Sequence, residues 1–313
     1  MDAHAALKSK WRHIQGWRRL SRTLFFALFL LAPTLDILRM DLLEGHLVLF
    51  GHTYASALAD FLLMAETSPA EAAWGILIYI LIPLVALAVG VLWITFYYGR
   101  LYCGWLCPHF SVVEWINGLM ERALGKPTLW EQAEQKPHQK ALWLSITLGA
   151  SLLMAFTWAL SLLTYLLPPQ LIFNNLWTGQ LSFNQTLFLS VGTALFMIDF
   201  VFARHLFCRF GCAVGIAQSI AWMSNPSAKT PTLRLKASAA CSGCVQACDN
   251  ACPMRLNPRS GKRRINTCTQ CGLCMQGCAD VRGDAPLGAP LVWHRGEEVA
   301  SRDASLFIHK KRK

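Results

Sequence analysis

Between Ala141 and Ile198 the chain carries no Asp, Glu, Lys or Arg. A stretch this long without charge has few folded homes, because a bilayer span needs about 20 apolar residues and must satisfy its backbone internally. Pro168-Pro169 and the polar stretch NNLWTGQ divide the run. It reads as two spans, about 141–167 and 185–203, with a short outer loop between. A second uncharged run, Ala72 to Gly99, holds WGILIYILIPLVALAVGVLWITFYYG and reads as another span. A weaker one is TLFFALFLLAPTLDIL after Arg22, interrupted by Pro33, Asp36 and Arg39. No small-x-small cleavage site follows its apolar core, so it reads as an uncleaved anchor rather than a signal peptide. The expected fold is therefore mainly α, a polytopic helix bundle of about four spans.

Charge placement gives the orientation. Of 29 Lys and Arg, six lie in residues 1–22, five in 100–140 and seventeen from Arg204 onward, with Arg39 the one between. Such blocks mark the inner side of a membrane. The loop at 44–73 has four acids (Glu44, Asp60, Glu66, Glu71) and no Lys or Arg, and the loop near 168–184 has no charge, so both face outward. Both termini then lie inside. The segment 45–59 is apolar enough to be a re-entrant or interfacial piece. The +11 formal charge suits this topology better than a nucleic-acid groove, and no nucleic-acid motif is present.

After Arg204 the composition becomes basic and rich in Cys, Gly and Pro. The expected layout is a basic N-terminus (1–21), a transmembrane domain (22–212), a small domain (213–290) and a basic tail (291–313) ending in HKKRK, placed to meet anionic lipid. The small domain holds eight of the twelve cysteines. Thiols on the basic side of a membrane argue for reduced ligands rather than disulfides.

Cys268-x2-Cys271-x2-Cys274-x3-Cys278 is the bacterial ferredoxin run, in which three thiolates on a tight turn hold one [4Fe–4S] cluster and the fourth reaches a second. The earlier run is Cys241-x2-Cys244-x3-Cys248-x3-Cys252-Pro253, one residue longer in its middle. By the interleaved logic Cys268, Cys271, Cys274 and Cys252 hold one cluster, and Cys241, Cys244, Cys248 and Cys278 the other. Structural zinc, the competing reading, would use Cys241/Cys244 and Cys268/Cys271 and leave four thiols without a role. Lys262, Arg263 and Arg264 either offset cluster charge or form a solvated basic loop.

Two further pairs sit at the ends of spans: Arg100-Leu-Tyr-Cys103-Gly-Trp-Leu-Cys107-Pro108 and Arg204-His-Leu-Phe-Cys208-Arg-Phe-Gly-Cys212. A spacing of four puts both thiols of a pair on one helix face. Converging, Cys103, Cys107, Cys208 and Cys212 suit a further metal or cluster, a copper site or a redox disulfide; as small buried residues they would simply pack. Asp199 reads as a proton relay or as a partner of Arg204, and Asp36 as a partner of Arg39. His109 and His205 suit a metal ligand, a proton acceptor near a quinone, or a surface position at a helix end.

CGWLCP (103–108), FCRFGC (207–212) and the double run (241–278) together resemble the bacterial membrane polyferredoxin family, the NapH, FixG/CcoG and NosR-type proteins, over about residues 20–290. LDILRMDLLEGHLVLFG also resembles the FixG/CcoG branch. Ala213 stands where the family has a proline, Ala279 likewise, and the chain lacks the large outer domain of FixG/CcoG proteins. The resemblance implies an inner-membrane location, two [4Fe–4S] clusters on the cytoplasmic side, and electron exchange with the membrane. The NapH branch implies quinone as substrate and a quinol-dehydrogenase role beside a respiratory redox partner. The FixG/CcoG branch implies copper reduction or delivery in oxidase assembly.

Overall fold

The computed structural model describes residues 3–43, 46–55, 70, 73–74, 77–126, 140–241, 244–285 and 288–295. Helices dominate it, and the chain divides into two compact units. One comprises Phe25–Val89 and Val112–Arg204; the other comprises Met1–Leu24, Gly90–Ser111 and His205–Lys313. The basic tail beyond residue 295 and most of 56–76 lie outside the described residues.

The first unit is built on α5 (Lys140–Leu166) and α7 (Phe183–Ile198, continued as a π turn through Ala203). Among the described residues these two helices are long and apolar enough to cross a membrane. They coincide with the spans read at 141–167 and 185–203. Gly192 of α7 lies against Ala159 of α5, where a Cβ would come within 3.2 Å of the alanine methyl. Small residues at such a crossing let apolar helices pack closely without a hydrophobic drive. The core adds Val112, Ile116 and Met120 of α4 (Pro108–Leu124), with Trp158 and Phe200. Phe29 of α1 (Ala3–Leu31) lies 4.9 Å from the Trp158 ring, and the Tyr165 hydroxyl donates to the Phe29 carbonyl at 2.8 Å.

The expected outer loop at 168–184 is partly helical. Pro169 occupies the first turn of α6 (Pro169–Thr178), which ends on left-handed Gly179. Proline breaks a helix from within but suits its first position, where no N–H is needed. Ser182 then caps α7: its hydroxyl accepts from the Gln185 N–H, and the Gln185 side chain accepts from the Ser182 N–H. Ser182→Ala should cost about 1 kcal/mol, read as a fall in thermal midpoint in detergent.

Residues 46–55 are a hairpin. Leu38–Asp41 (β1), His46–Leu49 (β2) and His52–Ala55 (β3) form an antiparallel meander. Asp36 and Asp41 both pair with Arg39, at 2.6 and 3.0 Å, so Asp36 is a structural partner of that arginine.

Of the other two expected spans, Ile82–Tyr98 (α2) is apolar but only 17 residues long, after a π turn at Leu77–Leu81. The segment after Arg22 continues α1, which is helical from Ala3. Residues 1–21 are thus largely the front of this helix.

In the second unit, α2 leads into the five-residue α3 (Leu101–Trp105), and a π turn at Phe207–Gly211 leads into α8 (Ala213–Ser224). Then come β4 (Thr230–Leu233), α9 (Ala247–Asn250), α10 (Leu273–Arg282) and β5 (Leu291–His294), with β4 and β5 antiparallel.

Candidate iron–sulfur centre

The second cysteine run folds as a left-handed turn followed by a helix. Gln270 (φ +56) and Gly272 (φ +76) bend the backbone around Cys271, and Gly272 caps α10, which carries Cys274 and Cys278 one turn apart. A β-carbon on Gly272 would be strained by its φ and would meet the Trp11 ring at 3.2 Å. In the first run, left-handed Gln246 sits in the longer segment before α9, and Cys248 follows on that helix. Pro253 is buried behind Cys252.

Cys252, Cys268, Cys271 and Cys274 line one cavity, closed by apolar groups that include Met254, Leu256, Ile265 and Trp293. They also interact electrostatically with one another. Cys278 interacts with Cys241, Cys244 and Cys248, while Cys248 also lies within range of Cys274. Among the described residues no group of three or more His, Cys, Asp or Glu closes on a single-ion site. Four thiols line one apolar cavity, and an all-sulfur donor set in apolar walls is what an iron–sulfur cluster takes. The residues present fit that group.

Burial, then the charges of neighbouring thiols, pushes Cys252 up to about 12. Burial, then Asp249, does the same to Cys248, again to about 12. Both are neutral thiols at neutral pH in this form, so iron uptake would displace a proton from each. Asp249 is held by Arg259 in an ion pair, and the Cys252 sulfur accepts from the Leu256 N–H at 3.4 Å.

The CxxxC pairs pack beside this centre, within the same unit. Cys208 belongs to a buried core with Phe110, Met254, Leu256 and Ile265, and Cys107, Cys252 and Cys268 pack against that core. Cys103, Cys107 and Cys212 are close enough to interact electrostatically. The Cys208 sulfur is 3.5 Å from His109 Nδ1. The expectation that each pair shares one helix face is corrected here. Helix α3 ends at Trp105, because Leu106 and Cys107 precede Pro108, and a residue before proline is pushed out of the α region. Cys208 sits in a π turn and Cys212 is the residue before α8. Each motif therefore ends at a helix start, Pro108 opening α4 and Ala213 opening α8. Ala213, without proline's fixed φ, still stands at the first position of α8.

Several side chains other than the cysteines pack around the site. Gln15 donates to the Cys271 carbonyl at 2.9 Å, and Trp11 and Leu7 pack on the core of Cys248, Cys274 and Cys278. Arg18 donates through Nε to the Gly104 carbonyl at 2.7 Å, and Trp105 Nε1 donates to the Gln270 carbonyl at 3.2 Å. Lys262 is buried, not part of a solvated loop: Nζ donates to the Trp222 carbonyl at 2.9 Å and to that of Asn225, closing the end of α8. Arg263 and Arg264 are exposed. Asp199 opens the π turn after α7, and its carbonyl accepts from the Arg204 N–H at 2.6 Å. His205 is buried.

Comparison with known proteins agrees with this chemistry. The Fer4_5 family of 4Fe–4S binding domains matches residues 80–127, the stretch around the first CxxxC motif. The ferredoxin-type protein NapH of Haemophilus influenzae is 25% identical over 277 residues, covering 84% of this chain and 86% of NapH. An uncharacterized protein of Methanocaldococcus jannaschii is 26% identical over 200 residues, 62% of this chain and 75% of that protein. No solved structure matches. A 4Fe–4S binding domain is present, and the matches support a polyferredoxin-like family at low identity.

Proposed function

We propose that this polyferredoxin-like chain passes electrons between the membrane quinone pool and a respiratory redox partner. In this reading Cys241, Cys244, Cys248 and Cys278 hold one [4Fe–4S] cluster, and Cys252, Cys268, Cys271 and Cys274 hold a second. The observation that carries it is the cavity that draws thiols from both runs into one wall. When bound, the clusters supply one-electron chemistry. The protein contributes the apolar walls, the α1 residues Trp11 and Gln15 that cover the cysteine loop, and the hydrogen bonds that fix it.

The reading includes about four spans in a bacterial inner membrane, with both termini and the cysteine domain on the cytoplasmic side. Leu84, Leu87, Val89, Leu153 and Leu195 are all more than half exposed (59–66%), which suits contact with lipid. A second reading, copper reduction or delivery in oxidase assembly, draws support from the electrostatic grouping of Cys103, Cys107 and Cys212 and from the Cys208–His109 contact.

Protein isolated without oxygen should carry about eight iron and eight acid-labile sulfide per chain, and give an EPR signal on reduction. Stoichiometric zinc without iron overturns both readings. The reduced protein is then mixed with a quinone analogue and, separately, with Cu(II). Reoxidation by the quinone supports the first reading; reoxidation by copper alone replaces it with the second.

A further inference from the structure

Arg100 stands between three cysteine motifs. Its side chain is 1% exposed. Nη1 donates to the Thr267 carbonyl at 3.2 Å, immediately before Cys268, and Nη2 donates to the Cys208 carbonyl at 2.9 Å. Nη2 also approaches the Cys103 sulfur at 3.6 Å. Nε has no hydrogen-bond partner. Among the described residues no carboxylate pairs with this guanidinium, whose partners are two backbone carbonyls and a thiol.

Burying a cation this way is strongly unfavourable unless an anion offsets it. Room for it is nevertheless built into the fold. A β-carbon at Gly215 on α8 would collide with Nη2, so a side chain is left out there to admit the guanidinium. The Cys103 sulfur is also in contact with Gln218 Oε1 at 3.4 Å. Cys268, in the wall of the four-thiol cavity and next to the Thr267 carbonyl that Nη1 holds, is a sulfur in electrostatic reach.

We infer that Arg100 is the counter-charge of the centre held by Cys252, Cys268, Cys271 and Cys274, and that it raises the reduction potential of that centre. This rests on the iron–sulfur reading above. Four thiolates around iron carry net negative charge, and reduction adds one more. A fixed cation nearby therefore favours the reduced form, and low-dielectric surroundings strengthen the effect. Arg100 is a positioning residue that acts through Thr267 and Cys268.

The test is a redox titration followed by EPR on wild type, Arg100→Gln and Arg100→Lys, with iron measured on each. If wild type holds no iron, the iron–sulfur reading fails and the inference with it. With iron present in Arg100→Gln, the reduced-to-oxidised ratio of one centre at the wild-type midpoint should fall about tenfold or more. The other centre should hold its potential, and Arg100→Lys should recover most of the shift. If Arg100→Gln loses that centre while Arg100→Lys keeps it near the wild-type potential, charge compensation again stands. Unchanged potentials in Arg100→Gln, or equal loss of the centre in both variants, overturn the inference and leave Arg100 a strut between loops.

Discussion

Cys274→Ala, isolated without oxygen, is expected to retain about half of the wild-type iron and to lose one of two EPR-active centres. Cys274 and Cys278 share α10, yet Cys274 lines the cavity with Cys252, Cys268 and Cys271, whereas Cys278 interacts with Cys241, Cys244 and Cys248. Substitutions in the first run then separate by partner rather than by position. Cys252→Ala added to Cys274→Ala should cost no further iron, since both are proposed to ligate the same centre. Cys248→Ala added to Cys274→Ala should remove nearly all of it. Cys248 also lies near Cys274, so this pair is the sharpest discriminator. Iron and sulfide analysis with EPR checks it. If Cys252 instead behaves as one set with Cys248, each run holds its own centre and the interleaved assignment is wrong.

Gly104→Val should be more damaging than its place between two cysteines of a short loop suggests. Gly104 lies on α3, and a β-carbon there would run into the Thr269 carbonyl. That obstacle is backbone, and Thr269 sits between Cys268 and Cys271, so neither side can give way without moving ligands. Arg18 also holds the Gly104 carbonyl. The expected cost is about 3 kcal/mol or more, seen as low recovery from membranes, a lower thermal midpoint in detergent, and iron below the wild-type ratio. Gly118→Ala is the control. Nothing lies within 4 Å of a β-carbon there, and it sits within helix α4. It should be neutral or stabilising by up to about 1 kcal/mol. A Gly104 variant as stable and as iron-rich as this control would show that the close packing of the two loops is dispensable.

The two long spans were legible because lipid imposes a rule that sequence obeys over twenty residues at a time: no charge, no break. The helix at 169–178 was less so, since Pro168-Pro169 reads equally as a break and as a start. Cysteine spacing suggested the interleaved grouping that is proposed above, because tight turns leave few ways to place ligands. The arginines were the larger surprise. Arg18, Arg100 and Arg204 count as topology charges in the sequence, yet each is 2% exposed or less. Arg18 and Arg100 hold carbonyls of the cysteine loops, and Arg204 donates to Asn117 Oδ1 at 3.0 Å. Nothing in a linear count of charge shows which cation a loop will later wrap. Gln15 and Trp11 were hidden for the same reason: they meet Cys271 and Gly272, more than 250 positions away.

Helix α10 has one consequence for speed. Its two cysteines are four residues apart, a rise of about 6 Å along the axis, and they serve different centres in the proposed assignment. An electron would therefore tunnel across a gap set by a single turn of rigid helix. In that assignment the step between centres would cross a short, fixed gap, and turnover would be governed where electrons board and leave.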